Sequence, residues 1–294
     1  MQGKRQGKFA IFTIEKPTDC SAFFDYFHIS IKKQRQLFQQ GKILLNQQVI
    51  HQPQPLNRND ELALQVFEPM EIDYAPQGSC DVVYEDDCIL IVNKPPFLII
   101  HEDCKDKLNT LNNQVAAYYQ QTRQNITVRP IHRLDYETSG LVIYSKCPFF
   151  QPFFDYCLSE KKIQRSYYAL VKGKLAQKKP FSIDQPIGKD RHVNNKYRVS
   201  KTGKPAQTIV TVMQSNSSFS LIRCDLKTGR THQIRVHLAY LNHPLLSDPI
   251  YGSKDPRIPR CGLQAYLIRW IDPLTQSYKQ VEIPLDHDMA KVIR

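Results

Sequence analysis

The residues best suited to chemistry stand in the run Pro130-Ile131-His132-Arg133-Leu134-Asp135-Tyr136-Glu137-Thr138-Ser139-Gly140-Leu141. It sets two potential cations, His132 and Arg133, and the carboxylate of Asp135 ahead of a turn expected at 138–140. That turn would feed the apolar strand 141–145. A polar loop running into a strand is a frequent seat of catalysis, because the strand fixes where its side chains sit. A structural His-Arg-Asp network beside a β-turn has the same composition, so the run alone decides nothing. Two further segments gather polar groups: Arg165-Ser166-Tyr167-Tyr168, and the stretch from Lys227 through Arg230, His232 and Arg235 to His237. Read singly, Arg235 is a phosphate-binding arginine in a basic stretch. Tyr167 is a core residue of an apolar strand, and His232 and His237 are structural.

Several other chemistries lack their residues. The eight cysteines form no Cys-x-x-Cys pair, so zinc and redox spacings are absent and no metal is assigned. No dinucleotide-type Gly-x-Gly-x-x-Gly or phosphate-loop motif occurs, and no cofactor is called for. No second carboxylate or nucleophile-base pair stands at a spacing that would make Asp135 part of a hydrolase. No apolar stretch approaches the ~20 residues of a membrane span, and the basic N-terminus lacks a signal peptide's apolar run. The expectation is a cytoplasmic protein with reduced thiols and no membrane partner, with a monomer as the default state.

The net charge of +12 is unevenly placed. Residues 1–70 carry +3, residues 71–158 carry −5, and residues 159–294 carry +14, with 13 basic side chains between 161 and 204 alone. Such a field suits a polyanion, because each phosphate neutralised releases counterions. Tyr167, Tyr168, Phe181 and Tyr197 interleave with that tract and would add stacking to unpaired bases.

The elements that must position these groups fall into two parts. Residues 12–68 read as a small α+β module following a strand at 9–14. They contain helices at 21–27 and 30–40, the second with Ser30 as N-cap and Gly41 as stop. A hairpin turning at Asn46-Gln47 and a strand at 61–67 complete the module. Residues 69–80 read as a linker. Residues 81–294 alternate strands, such as 89–93, 141–145, 167–171, 207–213 and 220–226, with helices at 110–121 and 149–160. That order implies an α+β domain around a mixed, mainly antiparallel β-sheet flanked by helices and loops.

At this point the motifs resemble a known family. His-Arg-Leu-Asp followed by Thr-Ser-Gly-Leu is similar to the signature of the RluA-type pseudouridine synthases. So are, in order, Tyr84–Pro96 with its Asn93-Lys94-Pro95, Arg165–Gly173, Leu226–Leu238 and Asp248-Pro249-Ile250-Tyr251-Gly252. The N-terminal module resembles the S-four-type RNA-binding module through residues 35–46 and 56–62, which makes Lys32, Lys33, Arg35 and Lys42 RNA-binding candidates.

The resemblance implies an isomerase that detaches uracil from ribose, turns it, and rejoins it through carbon 5. It makes Asp135 the catalytic carboxylate, as a nucleophile toward ribose or as a base in a glycal route. It makes Arg235 the cation that keeps Asp135 ionised, and Tyr167 the ring or hydroxyl beside the base. Because the base must leave its stack, Arg133 is placed in the vacated space or on the backbone. Arg165, Arg230 and His232 join it as RNA contacts. Large-subunit ribosomal RNA is the expected substrate; transfer RNA, or a non-catalytic RNA-binding or ribosome-assembly role, is the alternative. Three positions depart from the family pattern. Phe97 and Ser247 replace usual glycines, and Gln264 replaces a usual histidine. Phe97 implies a turn without positive φ.

Overall fold

The structure, a computed structural model, describes residues 2–101 and 109–293. Cys104 lies outside the described residues, and the other seven cysteines are free thiols. In the N-terminal part, strand Phe9–Thr13 alternates, burying Ala10 and Phe12 as a period of two requires. It stands second in a five-stranded sheet ordered Gln2–Gln6, Phe9–Thr13, Glu61–Gln65, Ile43–Leu45, Gln48–Val49. Helices Cys20–Tyr26 and Ile31–Gln39 start on side-chain caps: Asp19 accepts from the Ala22 amide at 2.8 Å, and Ser30 from the Lys33 amide at 3.4 Å. Asn46 and Gln47 both have positive φ, the conformation a two-residue hairpin turn needs.

This module shares its core with the rest of the chain. Phe27 is fully buried, and its ring centre lies within 6.1 Å of those of Phe12, Phe23, Phe149, Phe150 and Phe153. The last three belong to or adjoin helix Gln151–Ser159. Residues 69–80 contain no helix or strand but are strapped down. The Met70 amide donates to the Asn125 carbonyl, Asp73 accepts from the Val128 amide, and Asn113 donates to the Ala75 carbonyl.

The larger sheet has ten strands. Its path runs Phe181–Asp184, Gln207–Ser215, Phe219–Leu226, Gln164–Lys172, Leu263–Ile271, Ser139–Ser145, Ile89–Lys94, Asp81–Glu85. Arg129–Pro130 pairs with Ser139–Ser145, and Tyr278–Glu282 with Leu263–Ile271. Every pairing is antiparallel except Ser139–Ser145 against Leu263–Ile271, so the α+β class with a mixed, mainly antiparallel sheet holds. The central strands are apolar throughout because both faces are covered. Ile89, Ile91, Leu141 and Ile143 enter one core, while Leu90, Val92, Val142 and Tyr144 enter another. Helices Leu111–Gln121, Gln233–Tyr240 and His287–Ile293 complete the domain.

Two backbone expectations are corrected. The turn lies at Asp135–Thr138, closed by the Thr138 amide donating to the Asp135 carbonyl at 3.1 Å; Ser139 and Gly140 already belong to the strand. Gly140 serves the parallel pairing instead. Its φ is +109°, and a Cβ there would sit 2.1 Å from the Ala265 carbonyl oxygen, so only glycine fits. Phe97 does take positive φ, 61°, and so does Ser247, 53°. The chain keeps left-handed geometry at both positions without glycine.

Candidate active site

Asp135, Tyr167 and Arg235 converge on one cleft of about 580 Å³, whose walls also include His132, Arg133, Arg165, Lys161, Arg230 and His232. Asp135 comes from the turn before strand Ser139–Ser145, and Tyr167 from strand Gln164–Lys172. Arg235 comes from the first turn of helix Gln233–Tyr240. The Gln233 side chain builds the loop that starts this helix. It accepts from the Arg230 amide and the Thr228 hydroxyl, and donates to the Gln207 carbonyl and Thr208 hydroxyl.

Arg235 is 6% exposed and held from both sides. Its Nε and Nη2 donate to the two oxygens of Asp248 at 2.8 Å each, and its Nη1 donates to Asp135 Oδ2 at 3.1 Å. The fork geometry of a guanidinium matches a carboxylate in this way. Burial works against charge here, but the bonds to Asp248 outweigh it and raise the Arg235 pKa above its ordinary value. Burial likewise opposes ionisation of Asp248, yet Arg235 and the amides of Ile250 and Tyr251 hold its carboxyl below the usual range. Asp135 Oδ1 accepts no hydrogen bond among the described residues.

His232 stands closer to the carboxylate than its expected RNA-contact role implied. Its backbone is left-handed, φ 54°, and its Nε2 lies 3.7 Å from Asp135 Oδ2. The Tyr197 amide donates to the Tyr251 hydroxyl at 2.8 Å, and that hydroxyl is in hydrogen-bond contact with His232 Nδ1 at 3.1 Å. Burial lowers the His232 pKa, against the pull of Asp135, so the ring is neutral. His237 is structural as expected, bonded to Thr208 and the Gln185 carbonyl.

His132 is not a cation. Burial, followed by the charge of Arg165, pushes its pKa down to about 3, and neither ring nitrogen has a partner among the described residues. Lys94 is the residue whose role the sequence left unstated. It is fully buried beneath the Asp135 turn, and its Nζ donates to the carbonyls of Pro95, Leu98 and Tyr136 at 2.9, 2.7 and 3.2 Å. Burial lowers this amine to about 7, opposed by Asp135. Its backbone bonds fix the turn that carries the carboxylate.

The RNA-contact candidates divide. Arg133 is exposed on the cleft wall with no ion-pair partner among the described residues, and Arg165 lines the same wall in space left by Gly229, where a Cβ would come within 2.9 Å of its guanidinium. Arg230 is exposed but donates to the Pro205 carbonyl. Lys32, Lys33 and Arg35 lie exposed on helix Ile31–Gln39, away from the cleft, and Lys42 is paired with Glu68. Of the interleaved aromatics only Tyr167 reaches the cleft. Strand alternation puts Tyr168 on the opposite face, stacked on Tyr266 at 3.7 Å. Phe181 packs on the core, and Tyr197 braces Tyr251 and His232. Among the described residues no group of His, Cys, Asp and Glu could hold a metal ion, and no helix is long and apolar enough to cross a membrane.

The family model described as RNA pseudouridylate synthase matches residues 88–240, a span containing Asp135, Tyr167 and Arg235. The chain is 32% identical over 297 residues to a Bacillus subtilis protein named "Uncharacterized RNA pseudouridine synthase YhcT", covering 99% of this chain and 98% of that one. It is 30% identical to the Escherichia coli "Ribosomal large subunit pseudouridine synthase D", over 86% and 82% of the two chains. The human RNA pseudouridylate synthase domain containing 1 shares the fold, with a TM-score of 0.60 at 24% identity over 75% of this chain and 90% of that one. The chain therefore belongs to the RNA pseudouridylate synthase family and is an isomerase that converts uridine to pseudouridine in RNA.

Proposed function

We propose that the chain isomerises uridines in large-subunit ribosomal RNA, with Asp135 as the acting carboxylate, Arg235 as its fixed counter-charge and Tyr167 as the ring against the displaced base. The observation that carries this reading is the Asp248–Arg235–Asp135 arrangement. A guanidinium clamped by one carboxylate presents a single N–H to a second, which lines the cleft and whose other oxygen takes no hydrogen bond among the described residues. The free Oδ1 attacks ribose C1′ as uracil N1 leaves, or takes a ribose proton to form a glycal. In either route the uracil turns and C5 bonds to C1′, displacing the Asp135 oxygen from C1′ in the first route and regaining the C2′ proton from Asp135 in the second; N1 takes up a proton and the C5 proton is lost to solvent. Burial raises the Tyr167 pKa, so it meets the uracil as a neutral phenol. Arg133 occupies the gap left by the base or holds the RNA backbone.

Ribosomal RNA is favoured by the name of the Escherichia coli relative and by the +14 carried by residues 159–294. On this reading the enzyme works in the cytoplasm as a monomer, and the exposed Lys32, Lys33 and Arg35 of an S-four-type module add phosphate contacts outside the cleft. The test supplies C5-tritiated, unmodified large-subunit RNA and, separately, transfer RNA transcripts. Stoichiometric tritium release from the ribosomal transcript alone is expected. Release from transfer RNA alone overturns the choice of substrate and leaves the chemistry standing.

A further inference from the structure

The Phe97 side chain stands where it costs the backbone. A bulky residue at φ 61° is a conformational outlier, yet the ring gains little burial for it, remaining 46% exposed. Beside it stands Tyr136, 53% exposed, with the ring centres 5.8 Å apart and the planes at 66°. Tyr136 directly follows Asp135, which lines the cleft, so the exposed pair stands one residue beyond the cleft wall. Lys94 ties both backbones together, because its three carbonyl acceptors, Pro95, Leu98 and Tyr136, bracket Phe97 and include the backbone of Tyr136.

We propose that Phe97 and Tyr136 form a stacking platform for an unpaired nucleobase flanking the target uridine. A uridine turned out of its stack toward Asp135 drags its neighbours with it, and an exposed base face is best met by an aromatic ring. Any base can stack there, so the platform sets affinity and the direction of the strand more than sequence. The inference rests on RNA being the substrate, not on which RNA.

The test compares three 11-nucleotide single strands by fluorescence anisotropy. One is oligoadenylate with a central uridine, and the others carry an abasic nucleotide 5′ or 3′ of that uridine. Stacking on aromatic side chains predicts that wild type binds one abasic strand about 5- to 100-fold more weakly than the complete strand. Phe97→Gly and Tyr136→Ala should bind the complete strand that much more weakly and lose the distinction, whereas Tyr136→Phe should behave as wild type. Phe97→Gly relieves the left-handed strain, so its melting temperature should not fall, which separates lost stacking from lost folding. Wild type that binds all three strands equally, weakly or not at all, or variants that keep its full preference, would overturn the proposal. Tritium release from ribosomal or transfer RNA is independent of this outcome, so the two readings fail separately.

Discussion

Asp248→Asn isolates how the counter-charge of Asp135, the proposed catalytic carboxylate, is held. Asp248 is fully buried and takes two 2.8 Å bonds from Arg235, while its Oδ1 also accepts from the amides of Ile250 and Tyr251. Asparagine can keep one oxygen for those amides, but its amide nitrogen then faces Arg235 Nε–H, donor against donor. A buried guanidinium loses its main partner, a change that costs about 3–5 kcal/mol against a total stability of roughly 5–15 kcal/mol. The variant should therefore fold at low temperature with a clearly lower urea midpoint. A guanidinium displaced by about 1 Å should also cost roughly 10²-fold in kcat, read as tritium release at saturating RNA. Because the Asp248 carboxyl is held below its ordinary value, its contribution is complete above the unfolded value of about 3.9 and is lost as pH falls through the folded one. The wild-type-minus-variant gap should be flat above about pH 5 and narrow below about pH 4. An unchanged urea midpoint together with unchanged kcat would refute the reasoning.

Phe27→Ala should destabilise by about 3–5 kcal/mol and, because its ring joins both parts of the chain, lower one common unfolding transition; two separate transitions in calorimetry would argue for independent cores. Gly140→Ala forces a Cβ against the Ala265 carbonyl at a left-handed φ, so the expected outcome is a loss of several kcal/mol or insoluble protein, seen in denaturant titration; wild-type stability would contradict the close approach. His232 has its pKa lowered, so its protonation should reduce kcat/KM only below about pH 6.5, where an imidazolium would compete with Arg235 for Asp135. His232→Gln should remove that acid limb, and a limb centred above pH 6.5 in wild type would count against the assignment.

The convergence of Asp135, Tyr167 and Arg235 on one cleft was legible because each sits in its own short ordered motif, and the sheet class was legible from the alternation of strands and turns. Asp248 lay within a recognised motif, but its partner Arg235 is set by folding, with no periodicity to announce it. Helix Gln233–Tyr240 was missed because residues 233–238 are all buried, which erases the one-sided apolar stripe that marks a surface helix. The turn was misplaced because Gly140 looks like a turn residue while its actual duty is to admit Ala265. Residue type argued against positive φ at Phe97; the carbonyls that Lys94 gathers on either side fix that backbone regardless. The stacking role given to Tyr168, Phe181 and Tyr197 failed because a charge tract says nothing about which face of a strand a ring occupies.

The most direct measurement is single-turnover tritium release from C5-tritiated large-subunit RNA by wild type and Asp135→Asn, alongside filter binding of the same RNA. Asparagine keeps the shape of the side chain that lines the cleft and removes its carboxylate. Stoichiometric release by wild type, no release by the variant and affinities within a few-fold of each other are predicted. Equal release from both proteins would contradict the account.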